Sequence, residues 1–210
     1  MRTQLKSVED KTRKLAIIAG VTTLDAGSQG GVGGISQEDA LPGGQYRDEV
    51  DKMTWKSKRI AQDLTTLEAK FVRRSHLLSC TPSIAPVHGI LTDGFGGRSD
   101  PFTGEPGTHN AVDISSAIGQ PVRAPADGVV VKASWANGYG NVIYISHGFG
   151  YSTRYGHLSA YAVKPGDHIK RGDIIGYVGS TGRSTGPHLH YEVRVNNNPV
   201  NPLEYILNAF

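Results

Sequence analysis

Nineteen of the chain's 27 glycines fall after residue 80, scattered among runs of Val, Ile, Tyr and Thr. Glycine is the residue that takes φ > 0 without a Cβ clash, so many glycines between short β-branched runs mean many tight turns between strands. Turn signals at Asp127-Gly128, Asn137-Gly138, His147-Gly148, Pro165-Gly166-Asp167 and Arg171-Gly172-Asp173 bracket strands expected at Val129 to Ser134, Val142 to Ser146, Tyr151 to Tyr155, Ile174 to Gly179 and His188 to Val195. Their spacing of about 8 to 12 residues is the rhythm of an antiparallel all-β domain. A short closing helix is expected over Pro202 to Asn208. The fold class is therefore mainly β.

The first 80 residues have a different texture. Leu5, Val8, Leu15 and Ala19 fit a heptad seam with Thr12 as a weak member, the pattern of a coiled coil. A signal peptide over Lys11 to Val21 is the other reading, but Glu9 and Asp10 are misplaced for one. The apolar run Leu15 to Val21 is far short of the roughly 20 residues a bilayer span needs. Because the seam is already in phase at Met1, an upstream segment carrying an export signal or anchor is expected. Residues 25 to 44 read as a Gly-rich linker. From Val50 a second seam runs through Met53, Ser57, Ile60, Leu64, Leu67, Phe71, Arg74 and Leu78, predicting a long helix that Thr81-Pro82 stops. The expected division is a helical, coiled-coil-like region over 1 to 80 and a β domain over 81 to 210.

Charge and thiol content exclude several chemistries. The net charge of +3 comes entirely from the first 80 residues, which hold 13 basic and 10 acidic side chains, whereas residues 81 to 210 hold nine of each. The β domain has no electrostatic case for gripping nucleic acid. With Cys80 the single cysteine, a metal site must be made from His and carboxylates. Seven of the eight histidines follow residue 80. His109-Asn110-Ala111-Val112-Asp113 and His188-Leu189-His190 concentrate four candidate ligands. Alternate residues of a strand share a face, so His188 and His190 would project together while Leu189 enters the core. Tyr155-Gly156-His157-Leu158 supplies another imidazole at the end of a strand. Three His/Asp ligands with one open position, plus imidazoles near neutral pKa, are what a hydrolytic metal centre requires.

In this order the motifs resemble the M23 family of zinc metallopeptidases, of the LytM or lysostaphin type. The resemblance runs from about Pro86 to Pro202. It includes Phe95 to Arg98, His109-x-x-x-Asp113, Pro121 to Gly128, Tyr139-Gly140-Asn141, Tyr155-x-His157-Leu158 and Gly179 to Pro187 leading into His188-Leu189-His190. It implies a LytM-type antiparallel sheet, similar to a duplicated hybrid motif, behind the helical region. It implies one Zn²⁺ per chain held by His109, Asp113 and His190, with His157 and His188 as catalytic histidines. The implied substrate is the peptide of bacterial peptidoglycan, its stems or cross-links, with the D-Ala to diaminopimelate bond favoured over glycine bridges. The implied location is the periplasmic side of the cell envelope. Two departures stand out: Ala111 replaces the family's usual glycine, which keeps the same backbone path if φ is negative there, and Thr103 to Thr108 lacks the tyrosine of lysostaphin-like members.

Plainer readings exist for each residue. His109 with Asp113 alone is a solvated ion pair on a surface loop, His188 a buried structural imidazole, His157 a strand-end cap and His147 a turn residue. His76, His88 and His168 read as surface residues. Arg98 suits either a substrate carboxylate or a structural ion pair, and Asn141 either a turn or a cleft contact. At the level of function, the alternative to an enzyme is a catalytically silent or autoinhibited LytM-type regulator of other cell-wall hydrolases. Its N-terminal helices would serve self-association or an envelope-protein partner. A third reading is a coiled-coil scaffold, which has no reason to hold stoichiometric zinc.

Overall fold

The computed structural model describes residues 44 to 101 and 103 to 207; the expected first seam and the Gly-rich linker, save Gly44, lie outside them. The chain divides into two compact units, Met1–Ser75 and His76–Phe210. Helix α1 spans Gly44–Cys80, starting ahead of the expected seam. Thr54, Thr65 and Thr66 bond back to the carbonyls four residues earlier, which satisfies their hydroxyls within the helix. Thr81 does the same to Leu77 just before Pro82. Of the seam residues only Leu67 is buried, while Val50, Phe71 and Leu78 are exposed. No second helix pairs with α1 among the described residues, and none is long and apolar enough to cross a membrane.

The second unit is a set of antiparallel sheets. An eight-stranded sheet has the order β1-β4-β12-β8-β7-β6-β10, with β13 paired to β12. Its strands are β1 Ile90–Asp93, β4 Val112–Ser115, β6 Gly128–Ala136, β7 Gly140–Gly148, β8 Tyr151–Leu158, β10 His168–Ile169, β12 His188–Val195 and β13 Asn198–Val200. A three-stranded sheet orders β5 (Pro121–Arg123), β11 (Ile174–Tyr177) and β9 (Ala160–Tyr161), and β2 (Gly96–Ser99) forms a hairpin with β3 (Pro106–His109). The closing helix is one 3₁₀ turn, Pro202–Glu204, capped by the Asn201 side chain.

The core fills the space between the large and the three-stranded sheets, with Ile143, Ile145, Leu158, Leu189, Tyr191 and Val193 meeting Val122 and Ile175. Each fully buried aliphatic side chain contributes roughly 1.5 to 3 kcal/mol. Strand β12 alternates as its sequence requires: Leu189, Tyr191 and Val193 are sealed in the core. His188, His190, Glu192 and Arg194 therefore share the opposite face. That alternation sets the histidines on the sheet's outer face.

Candidate metal centre

Strand register assembles the centre. Asp113 of β4 pairs with His190 of β12, and His190 pairs with Gly156 of β8, so the three occupy one row across the sheet. Gly156 is tightly hemmed, since a Cβ there would lie 3.3 Å from both His190 Cβ and Tyr139 Cδ1. The β2–β3 hairpin delivers His109 at its end, four residues before Asp113. Thus both expected loop residues lie on strands. Ala111 is absent from the left-handed residues of the described chain, so it follows the path expected of a non-glycine residue.

Three donor atoms converge. His109 Nε2 lies 3.3 Å from His190 Nδ1 and 3.3 Å from Asp113 Oδ1, and His190 Nδ1 lies 3.1 Å from Asp113 Oδ1. His109 and Asp113 are buried, His190 partly so. Each donor is oriented from behind. His109 Nδ1–H donates to the Gly94 carbonyl at 2.9 Å, and His190 Nε2–H donates to Glu192 Oε1 at 3.3 Å. Asp113 Oδ2 accepts from Arg98 Nη1 at 3.4 Å, while Arg98 is also bonded to Asp93. A carbonyl or carboxylate only accepts, so each partner fixes the imidazole tautomer and turns the other nitrogen's lone pair to the centre. Burial opposes ionisation of Asp113, but hydrogen bonds and charge from His109 and His190 outweigh it and hold the carboxyl well below the usual range. Burial lowers His190 and the carboxylates of Asp113 and Glu192 raise it, with a net rise.

Two more imidazoles complete the group. His157 and His188 have ring centroids 4.7 Å apart, and His157 lies 5.6 Å from His190. His157 Nδ1–H donates to Thr181 O and His188 Nδ1–H to Gly186 O, each at 2.8 Å. Both therefore keep Nε2 as an acceptor, and His188 Nε2 sits 3.8 Å from Asp113 Oδ1. His157 takes φ +60°, a strained setting for a non-glycine residue, and its amide is held by Tyr139 O at 2.7 Å. Burial pushes the His157 imidazole down to about 4, the Thr181 bond opposing. The loop from Thr181 is braced against the β6–β7 turn by glycines: a Cβ on Gly182 would stand 2.2 Å from Gly140 N, and both residues have positive φ. A cleft of about 410 Å³ opens over these groups, walled by Arg98, Asp100, Arg183, Thr185 and Pro187.

Sequence reasoning missed the support. Glu192, 1% exposed, accepts from Tyr139 Oη at 2.5 Å and from Arg194 Nη1 at 2.6 Å besides His190. Burial would raise its carboxyl, yet these partners hold it down to about 2, while burial and Glu192 lift Tyr139 to about 12. The signal was present, because period two places Glu192 on the face of His190. Lys132, Tyr144, Arg154 and Glu192 form one cross-strand row, with both cations over the Tyr144 ring. His147, expected at a turn, is instead buried in β7, donating to Asp127 O at 2.7 Å and accepting from Thr153 Oγ1 at 2.8 Å. Asn141 is internal bracing: it donates to Leu158 O and accepts from Tyr161 Oη. Arg98 is an ion-paired residue in the cleft wall.

Residues 107 to 202 match the model of Peptidase family M23. The chain is 46% identical over 121 residues to DD-carboxypeptidase/endopeptidase Mpg of Neisseria meningitidis, 58% of this chain and 28% of that protein. It is 47% identical over 107 residues to peptidoglycan DD-endopeptidase ShyA of Vibrio cholerae, 51% of this chain and 25% of that one. It thus spans about a quarter of the length of the curated relatives it matches. Among solved structures, a zinc-containing peptidase from Vibrio cholerae superposes with TM-score 0.55 at 41% identity, covering 59% of this chain and 39% of that one. The catalytic domain of lysostaphin from Staphylococcus simulans gives TM-score 0.50 at 40% identity, covering 54% of this chain and 88% of that domain. Coverage of nearly that whole domain at this identity, together with the matched family model, makes this chain a member of peptidase family M23.

Proposed function

We propose that the chain is a zinc-dependent endopeptidase acting on the peptide stems or cross-links of bacterial peptidoglycan, with the D-Ala to diaminopimelate bond as its target. The carrying observation is the convergence of three lone-pair donors at 3.1 to 3.3 Å. Two imidazole nitrogens and one carboxylate oxygen form a ligand set suited to Zn²⁺, and bonds of about 2.0 Å in a tetrahedron place donors about 3.3 Å apart. In this reading His109, Asp113 and His190 hold the ion, and His157 and His188 are catalytic. When bound, zinc supplies a Lewis acid that polarises the scissile carbonyl and acidifies water.

The chain's own groups move the proton. With Nδ1–H tied to Thr181 O and Gly186 O, His157 and His188 present Nε2 to the cleft, so one imidazole takes the proton of the attacking water and returns it to the departing amine. Their fixed rings avoid reorganisation at that moment. Glu192, Arg98 and Gly94 keep the three donors aimed. The names of the Mpg and ShyA relatives support the substrate class, and with it a site of action on the periplasmic side of the envelope. We place the peptidase domain at 81 to 210 and assign residues 1 to 80, with the linker at 25 to 44, to self-association or an envelope partner. A silent regulator is the weaker reading, because all five groups of the centre are in place.

The test is mass spectrometry of muropeptides released from purified sacculi by the untreated, chelated and His109→Ala proteins. Release by the untreated protein alone is expected, and equal release by all three overturns metal-dependent cleavage.

A further inference from the structure

Two guanidinium groups line the cleft, and they are held differently. Arg98 is locked: its side chain is 28% exposed and bonded to Asp93 and to the candidate ligand Asp113. Arg183 is half exposed and reaches across the cleft mouth to Asp100 Oδ1 at 2.6 Å. The two partners lie 83 residues apart, Asp100 just after the β2 strand and Arg183 in the β11–β12 loop. Arg183 also lines a shallow groove beyond the cleft beside Trp135 and Asn137, so it stands where one depression passes into the other.

The backbone on both sides is secured independently of this pair. Arg183 N–H donates to Gly138 O at 2.9 Å. Asp100 Oδ1 also caps its own turn, accepting from Thr103 N at 3.0 Å, and Asp100 N–H donates to Glu105 O at 2.8 Å. Both loops therefore keep their shape when the side chains part. A solvent-exposed ion pair is among the weakest interactions in a protein, and a second carboxylate of good geometry competes for a guanidinium on nearly equal terms. Charge favours that competitor. Among the cleft-lining residues Asp93, Asp100 and Asp113 outweigh Arg98 and Arg183 by one negative charge. A divalent cation at the centre turns that into one positive charge, which draws anionic groups in.

We propose that Asp100 and Arg183 form an exchangeable clasp, in which Arg183 recognises a carboxylate of the peptide substrate and Asp100 occupies it until that carboxylate arrives. This rests on the peptidase reading and narrows it: the preferred substrate is an acidic peptide whose carboxylate lies away from the scissile bond.

The experiment compares zinc-loaded full chains, unsubstituted, Arg183→Gln and Asp100→Asn. The substrates are a cross-linked stem-peptide dimer and the same dimer with its carboxyl groups converted to primary amides. kcat and KM are measured for both, and binding of the dimers to the same proteins is followed by calorimetry at low temperature, before turnover. Asparagine retains the oxygen that caps the turn, so both variants are expected to melt within about 2 °C of the parent. Arg183→Gln raises KM and Kd for the acidic dimer about three- to tenfold and leaves the amidated dimer unchanged. Asp100→Asn acts in the opposite direction, lowering both constants for the acidic dimer by removing the internal competitor. kcat stays the same in both. Variants that shift KM in the same direction, or shift it equally for both dimers, show a mere loop tie and overturn the proposal. Cleavage of both dimers with no preference also overturns the clasp and leaves the peptidase reading intact. Binding of the acidic dimer through Arg183 without cleavage upholds the clasp and overturns the peptidase reading instead.

Discussion

The two ends of strand β8 each carry a buried histidine contact, and the contrast between them separates a structural imidazole from a chemical one. At the near end Thr153 bonds His147, whose two nitrogens are both taken, by Asp127 O and by Thr153 Oγ1. At the far end His157 uses only Nδ1 among the described residues, on Thr181 O. Burial drives both imidazoles down to about 4. The shift alone therefore does not distinguish them; the second nitrogen does. An imidazole with both nitrogens committed braces the fold, whereas one with a lone pair facing a cleft is placed to move protons.

The largest expected effect comes from the donors that His157 faces. His109→Ala removes one of three, and both zinc content, read by atomic absorption, and muropeptide release are expected to fall to background. Retained stoichiometric zinc would dissolve the distinction between the two regions. Next, His157→Ala is expected to lower kcat by about 10² to 10⁴-fold with zinc retained, while His147→Gln leaves the specific activity of the folded fraction unchanged. Equal losses in the two variants would break the contrast.

The near end makes a pH prediction. His147 has a folded pKa of about 4 against an ordinary 6.5, so on acidification the unfolded chain takes up the proton first. Its stabilising contribution is complete above pH 6.5 and declines as pH falls toward 4, by about 3 kcal/mol in all. Urea unfolding across this window should show a shallower loss for His147→Gln than for the parent, and parallel curves would refute the assignment. The smallest effect is expected at Glu192→Gln, which keeps an oxygen for His190 Nε2–H but removes the charge. Zinc affinity measured by chelator competition should weaken by about tenfold, and an unchanged affinity would remove Glu192 from the support of the centre.

Much of the β domain was legible because the four strands of eight or nine residues, β6, β7, β8 and β12, and the shorter β11 are rich in β-branched and aromatic residues and flanked by turn signals. The short strands β1 to β5 were not: they hold three or four residues each, several of them Gly or Pro, and owe their geometry to partners distant in sequence. For the same reason His109 and Asp113 read as loop residues. His147 was misjudged because the following glycine, at φ +79°, is a true turn signal, while the groups that bury the imidazole lie at Asp127 and Thr153. Period two puts Glu192 on the His190 face, but its role as a support is set by Tyr139 and Arg194 as much as by His190, and the pairing with Tyr139, 53 residues away, leaves no local pattern. The long helix was readable from its seam, but the coiled-coil pairing is not found among the described residues.

The abutment of Gly140 and Gly182 leaves no space for even a methyl group between the two turns. Its consequence is a division of evolutionary freedom. Changes at Gly140 or Gly182 would disturb the seat of the His157 imidazole, and Gly186 seats His188 through its carbonyl, whereas Arg183, Thr185 and Pro187 line the cleft that receives incoming peptide. A lineage can therefore retune what enters the cleft through the side chains at 183, 185 and 187 while the backbone that seats both imidazoles stays fixed.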